Sequence, residues 1–234
     1  MPESQLPEVS ETLASANPSV ELTTWGVGPW QGECPLDENG QLEEIYDPEL
    51  LTDGDSRNVL DKYRYWKMSA IVADLDIRRH TFHVAIENWQ HDLNIGSIVR
   101  TANAFLAAEV HIIGNKRWNR RGAMVTDRYQ HVRHHATVEE FLAWTQTAGA
   151  DGGRLPVIAI DNVPGCQQIE RYALPAECVM LFGQEGPGLS QAAIDAAEVV
   201  LEITQFGSTR SMNASAAAAV AMHSWILQHV FSGS

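Results

Sequence analysis

Short apolar runs and segments of helical period alternate along residues 80–234. The runs predict strands, because each is short and ends at polar residues or glycine. They lie at 82–87, 109–114, 156–161, 178–183 and 199–203. The segments of helical period predict helices near 96–107 and 137–147 and over 213–230. This alternation is typical of an α/β fold with a mainly parallel sheet.

The first 79 residues do not share this alternation. Residues 1–20 are rich in Ser, Pro and Glu and have no apolar period, so we predict that they are disordered. Apolar residues recur at helical spacing between positions 58 and 73, which predicts a lead-in helix. We therefore divide the chain into an acidic, partly disordered N-terminal extension over 1–56, a lead-in helix over 57–79 and a main domain over 80–234.

The formal charge of −14 would oppose contact with a phosphate backbone if it were evenly spread. Residues 1–60, however, hold thirteen Asp and Glu against one Arg, whereas residues 61–234 carry a net charge of only −2. Within the latter, residues 114–135 form a basic segment in which aromatic residues are interleaved, a combination that suits unpaired RNA. Its candidate RNA contacts are Arg117, Arg120, Arg121, Arg128 and Arg133. A solvated surface loop is the alternative interpretation.

Neither a disulfide framework nor a metal site is predicted. The three cysteines fit no zinc or disulfide spacing, so we expect reduced thiols. No Cys or carboxylate completes a recognisable ligand spacing with the clustered histidines, so we expect no metal there. These are His80, His83, His131, His134 and His135. The sequence has no membrane-spanning apolar run and no signal peptide, and we expect a soluble cytoplasmic protein without membrane contact.

Three segments that follow predicted strands carry candidate chemistry. NIGSIVRTANAF at 94–105 opens a helix, and Arg100 within it could bind a phosphate bidentately. LFGQEGPGLS at 181–190 has glycines that allow close backbone approach to an adenine or a ribose, but no dinucleotide or phosphate-loop fingerprint. ITQFGSTRSMNASAAAA at 203–219 leads through a glycine turn into the last helix. Taken alone, the first segment is more typical of a solvated helix arginine, the second of an ordinary turn, and the alanines of the third of core packing.

In this order, the three segments resemble the signature motifs of the SpoU/TrmH family, the RNA ribose 2′-O-methyltransferases of the SPOUT superfamily. The matching patterns are N-x-G-x-x-x-R, F-G-x-E-G-x-G-L and I-x-x-x-G-x-x-x-S-x-N-x-S-x-A, within about residues 80–230. The resemblance implies a SPOUT-type parallel sheet with a C-terminal deep trefoil knot, which is an exception to the rule against threaded connections. It also implies S-adenosyl-L-methionine as cofactor and a homodimer whose site is built across two chains.

The resemblance further implies which residues form the site. Arg100 matches the arginine that acts on the ribose hydroxyl, and Asn94 matches the asparagine that shapes its loop. The cofactor contacts are Gly183, Ile203 and Met212. The remaining polar residues of the pocket are Glu185, Ser211 and Asn213. Met212 replaces the usual leucine, a mild exchange, whereas residues 204–206 replace the usual Pro-Met and alter the pocket wall.

The function implied by this resemblance is methyl transfer to a ribose 2′-hydroxyl of tRNA or rRNA, with tRNA slightly preferred. Because arginine keeps its proton at neutral pH, we expect Arg100 to stabilise a developing alkoxide, and whether it also accepts the proton stays open. A non-catalytic RNA-binding or ribosome-assembly factor on the same fold is an alternative, although such a protein need not retain Asn94, Arg100 and Glu185. An unrelated nucleotide-binding α/β enzyme is disfavoured, since its fingerprints are missing.

Overall fold

The computed structural model of the chain describes residues 26–90 and 94–232. It divides the chain into two compact units, one that ends at Lys67 and one that begins at Met68. The disorder predicted for residues 1–20 lies outside the described residues. Within the described ranges, no helix is both long and apolar enough to cross a membrane.

The described part of the first unit, residues 26–67, is mostly irregular. It contains one short helix, α1 (Pro48–Asp53), which the Asp47 side chain caps by accepting hydrogen bonds from two backbone N–H groups. A 3-10 turn at Asp61–Tyr63 is the other helical segment of this part of the chain.

The helix predicted over 57–79 is wrong for its first half, because helix α2 spans only Met68–Asp76. Hydrogen bonds to the buried carboxylate of Asp55 hold residues 57–65 in a path that is not helical. It accepts hydrogen bonds from the side chain and the backbone N–H of Arg57 and from the backbone N–H of Tyr65. Tyr65 has a φ of 64°, a left-handed conformation that an α-helix cannot include. Tertiary hydrogen bonds therefore override the helical spacing of the apolar residues.

Seven strands of the second unit form one sheet, in which every pairing is parallel. They are β1 (Phe82–Asn88), β2 (Val110–Gly114), β3 (Val132–His135), β4 (Val157–Ile160), β5 (Gln167–Gln168), β6 (Cys178–Phe182) and β7 (Val199–Glu202). Their order in the sheet is β3-β2-β1-β6-β4-β7-β5. Because neighbouring strands run in the same direction, their carboxyl ends meet at one edge of the sheet, where α/β folds place ligands.

Helices cover both faces of this sheet. They are α3 (Asn94–Ala104), α4 (Val138–Thr145), α5 (Gln191–Ala196) and α6 (Ala214–Ile226). On one face, α3 and α6 bury their apolar sides against alternate residues of β1, among them Phe82 and Ile86. On the other face, α4 and α5 pack against the intervening residues, including Ala85. The central strands are apolar on both sides for this reason.

The predicted α/β architecture with a mainly parallel sheet is confirmed, and each predicted strand and helix of the main domain has an observed counterpart. Two strands and one helix were not predicted. Strand β3 has the sequence VRHH, which lacks an apolar run, and β5 is only two residues long. Helix α5, six residues long, is too short to show a helical period.

Candidate functional site

A cavity of about 260 Å³ opens at the carboxyl ends of β4, β6 and β7. Its walls come from the loops 183–190 and 203–213 and from the two residues that follow β4. A second cavity of about 580 Å³ adjoins it and shares several of these lining residues. The predicted site residues that line the first cavity are Gly183, Glu185, Ile203, Ser211, Met212 and Asn213.

The loop 183–190 folds back sharply on itself. The backbones of Gln184 and Gly188 exchange hydrogen bonds, and Gly188 has a φ of 72°. A Cβ atom on Gly183 would lie 2.2 Å from the carbonyl carbon of Gly188 and 2.3 Å from the nitrogen of Leu189. Only glycine fits at position 183, because the atoms in its way are backbone atoms of the same loop.

Glu87, near the carboxyl end of β1, holds this loop in place through hydrogen bonds. Its carboxylate is fully buried and accepts hydrogen bonds of 2.7 Å from both the backbone N–H and the hydroxyl of Ser190. It also accepts a bond of 3.2 Å from the indole N–H of Trp89. In return, the Gln184 side chain accepts hydrogen bonds from the backbone N–H groups of Trp89 and Gln90. Sequence reasoning missed the role of Glu87, because its partner Ser190 is 103 residues away.

Three side chains join the three motif segments. The Asn94 amide donates to Oε2 of Glu185 at 2.5 Å, and the Asn213 amide donates to Oδ1 of Asn94 at 2.8 Å and to Oε2 of Glu185 at 3.3 Å. The Asn213 oxygen also caps α6, as it accepts from the backbone N–H groups of Ser215 and Ala216. Each motif thus supplies one member of a hydrogen-bonded group at the amino-terminal ends of α3 and α6.

Among the polar residues of the cavity that were not predicted from the sequence are two at the end of β4. Asp161 accepts a hydrogen bond from the backbone N–H of Leu189 at 2.9 Å, and the amide of Asn162 donates to the carbonyl of Arg210. They therefore link the end of β4 to both loops. Their position directly after a buried strand is the sequence feature that could have identified them.

Arg100 does not line either cavity of this chain. It lies on α3, six residues after Asn94, which corresponds to roughly 9 Å along the helix axis and about 240° around it. Its side chain is exposed and forms no hydrogen bond or ion pair with another described residue. The structure therefore presents its guanidinium to solvent.

The basic segment packs on the helix that carries Arg100. A Cβ atom on Gly96 in the first turn of α3 would lie 2.8 Å from backbone atoms of Asn119 and Ala123, so the two backbones touch. The predicted RNA contacts of this segment are all exposed: Arg117, Arg120, Arg121, Arg128 and Arg133. Two of them contact carboxylates, at 3.4 Å (Arg120 with Asp127) and 3.1 Å (Arg133 with Glu109).

Known proteins resemble this chain in sequence. The tRNA (guanosine(18)-2′-O)-methyltransferase of Escherichia coli K12 is 28% identical over 149 residues, which cover 62% of this chain and 63% of that protein. An uncharacterized tRNA/rRNA methyltransferase of Mycobacterium sp. strain KMS is 32% identical over 158 residues, which cover 59% of this chain and 44% of that protein. The chain thus spans less than two thirds of the length of these relatives.

Solved structures share the fold. The SpoU methyltransferase AviRb from Streptomyces viridochromogenes, in complex with the cofactor AdoMet, superposes with a TM-score of 0.59 at 22% identity, over 67% of this chain and 61% of that one. The TrmH/SpoU tRNA modifying enzyme of A. aeolicus gives a TM-score of 0.60 at 16% identity, over 71% and 84% of the two chains. A family model described as the SpoU rRNA Methylase family matches residues 81–223. Because this match extends over more than half of the chain and includes all three motif segments, the chain belongs to the SpoU rRNA methylase family.

Proposed function

We propose that this chain transfers a methyl group from S-adenosyl-L-methionine to a ribose 2′-hydroxyl of RNA, with tRNA preferred over rRNA. The observation that carries the proposal is the meeting of three motif segments at one cavity through Asn94, Glu185 and Asn213. The relatives support it, since the E. coli protein is named a tRNA 2′-O-methyltransferase and the AviRb structure holds AdoMet.

The residues of the cavity fit such a cofactor. Ile203 and Met212 supply apolar surface, and Gly183 lets the loop backbone approach a bound ligand closely. Backbone N–H and C=O groups of the two loops suit an adenine and a ribose. We assign Gly183, Ile203 and Met212 to cofactor contact and Glu185, Ser211 and Asn213 to the polar side of the cavity. When bound, the cofactor supplies an electrophilic methyl group on its sulfonium.

Arg100 is the proposed catalytic residue. An exposed guanidinium on α3 can hold the phosphate next to the reactive ribose with two parallel hydrogen bonds. The same charge stabilises the alkoxide that develops as the 2′-hydroxyl loses its proton. The remaining requirement is alignment of the hydroxyl with the methyl group, which Asn94 assists by fixing the start of α3 against Glu185.

We also propose a homodimer in which two chains complete each site, and a trefoil knot in the C-terminal segment. The placement of Arg100 outside the cavities of its own chain supports the first proposal, because a site built from two chains requires such a residue. The loops 183–190 and 203–213, which lie side by side along one cavity, support the second.

Tritiated S-adenosyl-L-methionine and total RNA from cells that lack this protein provide the test, followed by mapping of the modified ribose. The Arg100→Ala variant should abolish transfer and leave cofactor affinity within a few-fold, because Arg100 does not contact the cavity. Arg154→Ala, which removes another exposed arginine, is the matched control and should keep full activity. Full activity of Arg100→Ala would refute the assignment. Calorimetry without any cofactor binding would favour the non-catalytic RNA-binding factor.

The basic segment has its own test. Replacing Arg117, Arg120 and Arg121 by Glu should weaken RNA binding and flatten its salt dependence, since fewer counterions are released. Cofactor affinity should stay the same in this triple variant. Unchanged RNA affinity would exclude this surface from the RNA interface.

A further inference from the structure

A second group of polar side chains meets near the amino ends of β1 and β2, at the opposite end of the strands from the cavity. His83 is the second residue of β1, His111 is the second residue of β2, and Glu109 directly precedes β2. Ala85 pairs with His111 in the parallel register, so His83 lies diagonally beside His111 on the same face of the sheet. Glu109 shares that face, because it is two residues from His111.

The distances within this group match those of a metal site. A ring nitrogen of each histidine and a carboxylate oxygen of Glu109 all lie within 4.8 Å of one another. Nδ1 of His83 is 3.1 Å from Nε2 of His111, which in turn is 3.7 Å from Oε2 of Glu109. Ligand atoms about 2.1 Å from a tetrahedral zinc ion are roughly 3.4 Å apart. The two distances that Nε2 of His111 makes therefore differ from this spacing by about 0.3 Å each.

The hydrogen bond between His111 and His135 allows a tautomer in which Nε2 of His111 is free to bind a metal ion. A neutral imidazole has a single N–H, and Nδ1 of His111 already lies 3.0 Å from Nε2 of His135. If His111 donates to His135, its Nε2 turns a lone pair toward both His83 and the Glu109 carboxylate. If His83 carries its proton on Nε2, its Nδ1 also turns a lone pair toward Nε2 of His111, and a cation would satisfy all these acceptors. If His83 carries its proton on Nδ1, this N–H bonds the two rings and must leave Nδ1 before an ion binds.

Outer contacts hold these side chains in position. The Arg133 guanidinium donates to Oε1 of Glu109 at 3.1 Å, which leaves Oε2 toward His111. The ring centroid of Trp144 is 4.1 Å from that of His111. Partners of this kind orient the ligands of metal sites before the ion binds.

We propose that His83, Glu109 and His111 bind a divalent transition-metal ion of the zinc class, with His135 and Arg133 as positioning residues. Two imidazoles and one carboxylate are a donor set that zinc sites with an open coordination position use. His83 and Glu109 are only partly buried, so an ion can reach them from solvent. The proposal does not depend on the proposed function, since the cofactor cavity lies at the other end of the strands.

The test uses the full chain without an affinity tag, stripped with EDTA and titrated with Zn²⁺ by calorimetry. We expect one ion per chain, and a loss of affinity of about tenfold or more in His83→Gln and in Glu109→Gln. The control is His223→Gln, since His223 is an exposed histidine on α6, and its affinity should equal that of the unsubstituted chain. Unchanged circular dichroism and cofactor affinity would verify that the variants are folded.

Two spectroscopic measurements on the unsubstituted chain test for the metal site without any variant. Co²⁺ in place of Zn²⁺ should give visible d–d bands in the unsubstituted chain, and long-range ¹H–¹⁵N spectra should show the His83 and His111 ring signals shifting first. Absence of stoichiometric Zn²⁺ binding would overturn the proposal. So would an affinity that is unchanged in Glu109→Gln, or one that falls as much in His223→Gln.

Discussion

Two irregular regions of the molecule are each organised by one buried carboxylate. Asp55 does this in the first unit and Glu87 beside the cavity of the second, and neither side chain is exposed to solvent. Each accepts at least three hydrogen bonds, including one or more from backbone N–H groups that lack secondary-structure partners. The two differ in their donors: Asp55 is paired with Arg57, whereas no Lys or Arg among the described residues contacts Glu87.

This difference in donors indicates that Asp55 contributes to stability, whereas Glu87 also contributes to the cofactor cavity. The bidentate ion pair of Asp55 holds segments of the first unit. Two of the three neutral donors to Glu87, the backbone N–H and the hydroxyl of Ser190, belong to the loop 183–190, which lines the proposed cofactor cavity. Breaking the first contact should therefore change stability, and breaking the second should also change ligand affinity.

The largest expected effect comes from Gly183→Ala, which distorts the loop itself. The added Cβ would lie 2.2 Å from a backbone atom of Gly188, and the loop can relieve this contact only by opening. We expect calorimetry to show a loss of S-adenosyl-L-methionine affinity of about 100-fold or more, of order 3 kcal/mol. Gly28→Ala is the matched control, because Gly28 lies in the first unit and nothing beyond its chain neighbours lies within 4 Å of its Cβ position. A Gly183→Ala chain that binds within a few-fold of normal would show that the loop does not form the cofactor site.

Glu87→Gln should have an intermediate effect. Glutamine keeps the shape but replaces one acceptor oxygen by an NH2 donor, so at least one of the three buried hydrogen bonds that Glu87 accepts is lost. We expect the free energy of unfolding to fall by about 2 kcal/mol and cofactor affinity to fall roughly tenfold. Urea denaturation and calorimetry measure the two quantities.

The control for this change is Glu198→Gln, whose exposed ion pair with Arg154 should contribute little. Loss of stability with unchanged cofactor affinity in Glu87→Gln would mean that the two carboxylates play the same purely structural part.

Local patterns were sufficient to predict five of the seven strands, and the resemblance of three motif segments to a known family implied the cavity residues. Buried parallel strands are continuous apolar runs, as in CVMLF of β6, and the motif residues Gly183 and Ile203 directly follow β6 and β7. The contacts that hold the cavity together depend on partners far along the chain. Glu87 and Ser190 are 103 residues apart, and nothing local in either segment indicates the bond.

The same limit applies to the histidines. Sequence spacing gave no reason to expect a metal, because His83 is 28 residues from His111 and only the parallel register of β1 and β2 brings them together. In the first unit, the apolar spacing over 58–73 predicted a helix that the hydrogen bonds of Asp55 exclude from its first half. Periodicity describes which residues can be buried, whereas a buried carboxylate decides the path of the backbone around it.

The smallest expected effect is the dependence of the first unit on pH. Burial alone would raise the pKa of Asp55, but the Arg57 guanidinium and the N–H groups of Tyr65 and Arg57 outweigh it and lower the pKa to about 2. The pKa in the folded state is thus below the ordinary value of 3.8 for an aspartate, so the stabilisation is complete above that value and is lost as the pH falls toward 2. The shift corresponds to about 2 kcal/mol.

Hydrogen exchange of the Tyr65 amide, compared between the unsubstituted chain and Asp55→Asn, should show faster exchange in the variant at pH 6 and a smaller difference near pH 2.5. Asp53→Asn, at the end of α1, should leave the exchange rate of the Tyr65 amide unchanged. If Asp55→Asn protects this amide as well as the unsubstituted chain does at both pH values, Asp55 does not organise its region in the way that Glu87 organises the loop 183–190.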